Sequence, residues 1–504
     1  MMTETSPETI LTGSEARRAA RNTGAIAASR ILSSGAQFGW QLILTHTLSE
    51  AGFGIYATVG ALFAIGVTVT AFSMSMIVIR DVARRPEFAG RYLSSTLVIQ
   101  TLLALIAYAG INAAAAGYDD TIRAFLAIAG LSLFIDALGT LCYDQLLAQE
   151  RMVTTSVIEV AHILIRIGLA GLALWAGYGL LGVYLVTLLT GIGRSALLWF
   201  MLRRTGVRPQ FPIAWSIARP LLINSAPLAL AAFINMTYIQ IDKLLTTSLL
   251  TQADTSHLSA ALVIIFGVVD ILSTTVLIAV YPLMSRVYRG DGRDETFRFM
   301  VEKLAFFTLL IGLPIGLVFS LFAPSIIVPL FGINYVEAAV ILRVLIWYAV
   351  VTMIVNVFAQ ALMTENRQRR WVVLRVVGLV LKLALSLFLL PRIGVIGAAA
   401  STVAAETLLL LVLARNFRFD LNLLLPRLFR LAGVGLLMVL VMLLLGSLHP
   451  LLGMSGGALV YMGGVLFGRV LATDDFDLLY RLAAAIPGGS LLLRRWRRKV
   501  ELNW

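Results

Sequence analysis

The sequence predicts an all-α polytopic membrane protein with 14 transmembrane helices, built as two parallel-related six-helix lobes plus two C-terminal helices. Three observations lead there: fourteen apolar stretches of membrane-crossing length, arginine-rich connections at every second turn, and a match of the chain to itself. An α-helix rises 1.5 Å per residue, so about 20 apolar residues cross a hydrocarbon core roughly 30 Å thick. Such runs begin near Gly24, Phe53, Tyr92, Thr121, Val153, Leu180, Pro220, His257, Val301, Tyr335, Arg370, Val395, Leu428 and Gly453. Of the 504 residues, 59% are hydrophobic and only 13% charged, a composition outside the range of soluble globular domains.

The net charge of +13 is a topology signal. Arg17, Arg18 and Arg21 precede the first span; Arg80, Arg84, Arg85 and Arg91 follow the second; Arg203, Arg204 and Arg208 follow the sixth. Arg286, Arg289 and Arg293 follow the eighth, Arg367, Arg369 and Arg370 the tenth, and Arg415, Arg418 and Arg427 the twelfth. The intervening connections, such as Leu48-Ser49-Glu50 and Tyr118-Asp119-Asp120, are short and neutral or acidic, with Arg392, and Arg123 just inside the fourth span, breaking the pattern. The positive-inside rule then places both termini in the cytoplasm. Basic residues spread this way attract anionic lipid headgroups and argue against nucleic acid as a partner. The polar first 22 residues lack a signal-peptide pattern. Lone Cys142 excludes an internal disulfide, and the four scattered histidines lack metal-ligand spacing, so neither metal nor cofactor is expected.

Sliding the chain by about 215 residues lays Tyr143-Asp144-Gln145-Leu146-Leu147-Ala148-Gln149-Glu150 on Phe358-Ala359-Gln360-Ala361-Leu362-Met363-Thr364-Glu365, and Gly179 and Gly182 on Gly394 and Gly397. Several matches at one offset indicate duplication of a six-span unit, and an even span number gives both copies the same orientation. The order expected is a cytoplasmic tail at 1–22, an N-lobe at 23–203 and a cytoplasmic linker at 204–219. A C-lobe at 220–417 follows, then two helices at 418–472 and an amphipathic, basic cytoplasmic tail at 473–504. Leu478, Leu479 and Leu482 against Asp477 and Arg481 give that tail its membrane-surface pattern.

Ionisable groups at membrane depth cost about 2.5–3.5 kcal/mol each on insertion scales, which marks them as functional candidates. In the first span Arg30, Ser33, Ser34, Gln37 and Gln41 recur at three- and four-residue steps and form one stripe. Arg166 and Arg194 lie in the first half, and Arg343, Arg375 and Lys382 in the second, with Arg375 and Lys382 on one helix face. Asp136, Asp144, Glu159, Asp242, Asp270 and Glu406 are the intramembrane acids. Arg194 is expected to pair with Glu159, Arg343 with Asp270 or Glu406, and Asp242 to be hydrated near the outer end. The substrate-binding candidates are Arg30, Ser33, Ser34, Gln37, Gln41, Arg166, Arg375 and Lys382. The coupling-ion candidates are Asp242, Asp270 and Glu406. Guanidinium and ammonium groups suit a phosphate-bearing anion, whereas a drug-cation exporter needs an acid that Gly24 to Leu48 does not contain.

Leu48 through Tyr56 (LSEAGFGIY) resembles the first outer loop of the polysaccharide biosynthesis flippases, within the multidrug/oligosaccharidyl-lipid/polysaccharide exporter superfamily. Ile79-Arg80-Asp81-Val82-Ala83-Arg84-Arg85-Pro86 resembles their basic turn after the second helix. Ala226-Pro227 with Tyr238 to Asp242 resembles their seventh helix, and Tyr281-Pro282-Leu283-Met284-Ser285-Arg286 the end of their eighth. Phe322-Ala323-Pro324 through Ala339, and Gly394 to Ala399, continue the match in order. The resemblance, which runs from about Asn22 to Phe417, implies a non-enzymatic flippase of the bacterial inner membrane that works by alternating access. Its cargo would be a polyprenyl-pyrophosphate-linked glycan, with Arg30 in the position of the basic residue of pyrophosphate-handling members and Asp242 within a family motif. Membrane lipids, a polysaccharide polymerase and other assembly proteins are the implied partners. A cell-wall lipid-precursor flippase and a cation-coupled drug antiporter remain alternatives. A membrane enzyme is disfavoured, because the outer connections are only a few residues long and carry no paired acids above the membrane.

Overall fold

The structure, a computed structural model, describes residues 13–287, 295–417, 421–468 and 470–471. The amphipathic segment after Phe476, the terminal arginines and Arg289 and Arg293 lie outside the described residues, as do the side chains of the Tyr281 to Arg286 motif apart from Met284. Helices run as α1 (Gly13–Thr47), α2 (Glu50–Ala71), α3 (Ser75–Arg84), α4 (Ala89–Ala114), α5 (Asp120–Ala148), α6 (Met152–Trp175), α7 (Gly179–Arg204) and α8 (Trp215–Leu249). They continue as α9 (Gln252–Val287), α10 (Glu295–Leu321), α11 (Ala323–Phe331), α12 (Val336–Thr364), α13 (Gln368–Ile393), α14 (Val395–Phe417), α15 (Leu421–Gly446) and α16 (Pro450–Phe467). No strand occurs among the described residues. The protein is a multi-pass, all-helical membrane protein.

Thirteen spans are long and apolar enough to cross a membrane, with α2 and α3 counted as one despite the break at Phe72 and Ser73, both at positive φ. The fourteenth expected span is α1. Its 35 residues give ample length, but its polar stripe keeps it outside the apolar class. Helices satisfy their backbone groups internally, so this architecture is the one a bilayer permits without a closed barrel.

Two compact units divide the chain, Met1–Ser248 and Leu249–Trp504. In the first, α5 packs against α7, α4, α2 and α3, and α6 packs against α1 and α7. Leu62, Ala104, Ile111, Leu126 and Leu133 form its largest core cluster. The start of the unit is tied to the end of α8 by a 2.6 Å hydrogen bond between the Thr58 and Thr247 hydroxyls and by Tyr118, whose hydroxyl donates to the Leu244 carbonyl at 3.1 Å. In the second unit α12 packs against α9, α14 and α10, and α13 packs against α14. Val355, Phe358, Leu362 and Leu413 lie at its centre.

The same internal plan thus recurs, with α5 and α12 as the hubs. Of the most apolar stretch, 50% is buried for α5 and 72% for α12, against 11% for α6 and 17% for α13. Each hub ends in one turn geometry. Glu150 and Asn366 both sit at φ 58, the Arg151 amide donates to the Leu146 carbonyl at 3.0 Å, and the Arg367 amide donates to the Leu362 carbonyl at 2.8 Å. That sets the offset at the turn to 216, pairing Glu150 with Asn366 rather than with Glu365. Residue identity favours the 215 register; the left-handed residue that closes the helix decides the other. Burial raises the Glu365 carboxyl above its ordinary pKa, against the opposing pull of Arg367, Arg370 and Arg298.

The glycine hairpins keep the offset of 215. Gly179 and Gly394 take φ of 56° and 64°. A Cβ on Gly182 would fall 2.7 Å from that of Tyr178, and one on Gly397 would fall 2.6 Å from the Leu389 carbonyl group. Both hairpins therefore close by helix-on-helix contact that only glycine allows.

Gly397→Ala should lower stability by about 1–3 kcal/mol through overpacking against main chain, seen as a lower melting temperature of the detergent-purified protein. Gly193→Ala, where nothing lies within 4 Å, should melt like the parent.

Candidate functional site

Charged side chains inside the helical bundle organise around partners in their own unit. In the first, the Arg194 Nε of α7 donates to Glu159 Oε1 of α6 at 2.8 Å, and its Nη2 lies 2.6 Å from the same oxygen. Arg194 Nη1 is 3.8 Å from Asp136 Oδ1 on α5. Space for the guanidinium comes from Gly139, where a Cβ would meet Arg194 Nη1 at 2.7 Å. One base and two acids thus tie three helices, and the expected Arg194–Glu159 pair is present.

In the second unit the Arg375 Nη1 of α13 donates to Glu406 Oε2 of α14 at 3.1 Å, and the Thr352 hydroxyl of α12 donates to Glu406 Oε1 at 2.8 Å. Arg375 also lies over the Trp371 ring at 4.8 Å. The expected Arg343 partner for Glu406 is replaced by Arg375, because Arg343 is exposed and turns away from that seam. Arg375, Gly378, Lys382, Ser386 and Leu390 form the buried face of α13. Ser386 shares a 2.7 Å hydrogen bond with Ser401 of α14, and Lys382 is 1% exposed.

The two sites correspond through the repeat. Met152 and Gln368, the first residues of α6 and α13, differ by 216. The same shift carries Asp136 to Thr352, Glu159 to Arg375 and Arg166 to Lys382. Each copy therefore places an ionisable group and, two turns later, a cation on the equivalent helix. The polarity of the buried pair is reversed: acid on α6 and base on α7 in one copy, base on α13 and acid on α14 in the other.

The remaining candidates are dispersed. On α1, Arg30, Ser34 and Gln37 are exposed, and Ser33 and Gln41 are half-buried. Arg166 is half-buried and lines a cavity of about 120 Å³ with Trp40, Tyr56, Ser132, Tyr184 and Thr187. Asp242, one turn after Tyr238 on α8, is 1% exposed, a buried position where a hydrated one was expected. Asp270 is exposed. Asp242 belongs to the first unit, and Asp270 and Glu406 to the second. No group of three or more His, Cys, Asp or Glu side chains suited to a metal occurs among the described residues.

Residues 43–341 match the family model described as polysaccharide biosynthesis protein. The chain belongs to the polysaccharide biosynthesis protein family. Among solved structures it is similar to the lipid II flippase MurJ in an inward closed conformation, at 15% identity and TM-score 0.69, covering 89% of this chain and 98% of that one. It is also similar to a MATE-family multidrug resistance transporter of the MOP superfamily. The inward-facing form gives 15% identity and TM-score 0.55 over 79% of this chain and 94% of that one. The outward-facing form gives 16% identity and 0.52 over 80% and 96%. At these identities the likeness is one of fold. No curated protein sequence matches the chain.

For this member of the polysaccharide biosynthesis family, sequence reasoning missed the aromatic walls of the Arg166 cavity. Trp40, Tyr56 and Tyr184 are unremarkable in a chain with 8 Trp and 14 Tyr, and only packing brings them together. The correspondence of Arg166 with Lys382 was out of reach, since the 215 offset carries Arg166 to Leu381 and only the 216 register of the folded helices brings it to Lys382.

Arg194→Ala should cost about 1–3 kcal/mol by leaving the half-buried Glu159 carboxylate without its partner. The double exchange Glu159→Arg with Arg194→Glu copies the polarity of the second unit and should recover more than half of that loss. Unfolding in mixed detergent micelles measures both.

Proposed function

We propose that this protein is a flippase that moves a polyprenyl-pyrophosphate-linked oligosaccharide across the bacterial cytoplasmic membrane by alternating access, for surface polysaccharide biosynthesis. Family membership supports the pathway class, and the likeness to flippase and transporter folds supports the mode of action. The observation that carries the cargo is the α1 stripe. Arg30, Ser34 and Gln37 are left unpacked on α1, which packs chiefly against α6, and a guanidinium facing hydrocarbon would cost several kcal/mol. Such a face calls for water and an anion. A pyrophosphate satisfies Arg30, since guanidinium binds phosphate oxygens bidentately, while the polyprenyl tail stays in lipid.

The substrate residues of this reading are Arg30, Ser33, Ser34, Gln37, Gln41 and Arg166. Arg375 and Lys382 join them only if the second unit opens its α13–α14 seam. Asp242, buried on α8, is the acid best suited to coupling. Both termini are cytoplasmic in this reading, and the working partners are a polysaccharide polymerase and other assembly proteins. The likeness to a lipid II flippase favours one second reading, a cell-wall lipid-precursor flippase, which shares the pyrophosphate lipid chemistry.

Vesicles containing the protein should accumulate labelled lipid-linked oligosaccharide on one face, and Arg30→Ala should cut the rate at least tenfold while inserting normally. Normal transport by Arg30→Ala would overturn the role of that residue. Rescue of cells depleted of their own precursor flippase would decide for the second reading.

A further inference from the structure

The Arg166 cavity runs from mid-helix, at Ser132 of α5 and Arg166 of α6, toward one end of the first unit. Tyr56 is near the start of α2, Thr187 and Tyr184 near the start of α7, and Trp40 within the last two turns of α1. These are the ends joined by Leu48-Ser49 and Ala176 to Tyr178, opposite the arginine-rich turns. Its volume of about 120 Å³ has room for several waters, each needing at least about 10–15 Å³. That is of the order of one sugar ring.

Three features of the lining choose among ligands. Aromatic rings form the walls: Tyr56 and Tyr184 are stacked with centroids 6.2 Å apart, and the Trp40 Nε1 donates to the Tyr56 hydroxyl at 3.1 Å. The Tyr56 hydroxyl, having accepted that bond, keeps its own proton to donate. Polar groups converge beside the rings. The Tyr184 hydroxyl is buried and has no hydrogen-bond partner among the described residues. Arg166 makes no ion pair within 4.0 Å among them and presents several N–H donors. The formal charges around it also balance, Arg166 and Arg194 against Asp136 and Glu159, with Arg194 paired to both acids. An anion would disturb that balance. A neutral ligand with C–H faces for the rings and hydroxyls for the donors would keep it.

We propose that this cavity, walled by Trp40, Tyr56, Ser132, Arg166, Tyr184 and Thr187, binds one neutral sugar ring of the transported lipid-linked glycan. The inference rests on the flippase reading and adds to it a glycan site in the first unit, separate from the pyrophosphate contact at Arg30. Arg166 then donates to sugar hydroxyls, and the discrimination between glycans lies with this wall.

The full-length protein in lipid nanodiscs tests it. Methyl glucoside, galactoside, rhamnoside and N-acetylglucosaminide, and sodium phosphate as the anion probe, are titrated while tryptophan fluorescence is read, with Trp40→Phe subtracted to isolate Trp40. At least one glycoside should give a saturable change in the millimolar range, and phosphate none. Tyr184→Phe and Arg166→Gln should each weaken binding about 5- to 10-fold, the loss of one hydrogen bond. Tyr184→Phe keeps the ring and removes a hydroxyl unbonded in the empty protein, so its melting temperature should not fall. No saturable Trp40 signal with any glycoside, an equal response to phosphate, or unchanged affinity in both variants would overturn the proposal. Glycoside binding without lipid transport in vesicles would sink the flippase reading and leave the sugar site standing; transport without the Trp40 signal would do the reverse.

Discussion

A charge carried into a bilayer must find a counter-charge or water, and this requirement shapes the interior of the protein more than any single apolar contact. Around it the helices of each unit are arranged. Arg194 holds α5, α6 and α7 together through Glu159 and Asp136, and Glu406 holds α12, α13 and α14 together through Arg375 and Thr352. Apolar packing alone gives membrane helices little orientation, because lipid tails are as apolar as leucine. A buried ion pair has one satisfactory geometry, so it fixes which faces meet. Small residues complete the arrangement: Gly139 makes room for the guanidinium, and Gly182 and Gly397 let the hairpins close.

The reversal of that pair between the two copies has a physical explanation. After duplication, the constraint on each copy is neutrality of the buried cluster, and either polarity meets it. The helix most exposed in each unit, α6 or α13, nevertheless keeps a cation two turns beyond the pair, Arg166 or Lys382. Neutrality leaves the sign of the pair free, whereas the position of the second cation persists. In the first unit that cation reaches a cavity; in the second it is buried in the α13 seam. The two units thus hold different environments for one chemical group.

Much of the candidate site was legible residue by residue. The spacing of Arg30, Ser34, Gln37 and Gln41 marked a polar face, and the structure leaves Arg30, Ser34 and Gln37 exposed. The Arg194–Glu159 pairing followed from two opposite charges at membrane depth. The partner of Glu406 did not, because Arg343 and Arg375 are equally plausible on charge, and the choice depends on how α13 is rotated against α14. The burial of Asp242 escaped for the same reason: hydropathy places a residue along a helix axis, not around it.

What the chain determined by itself is the set of spans, their alternating basic turns, and the repeat that relates α5 and α6 to α12 and α13. Those features depend on composition and periodicity, to which the bilayer responds directly. Tertiary structure alone decided the rotation of each helix, hence which charges pair and which line a cavity. Rotation is set by interhelical contacts between residues far apart in the chain, such as Tyr184 with Tyr56 or Thr352 with Glu406. No local pattern encodes such contacts, because each partner alone is an ordinary polar or aromatic residue of a membrane helix.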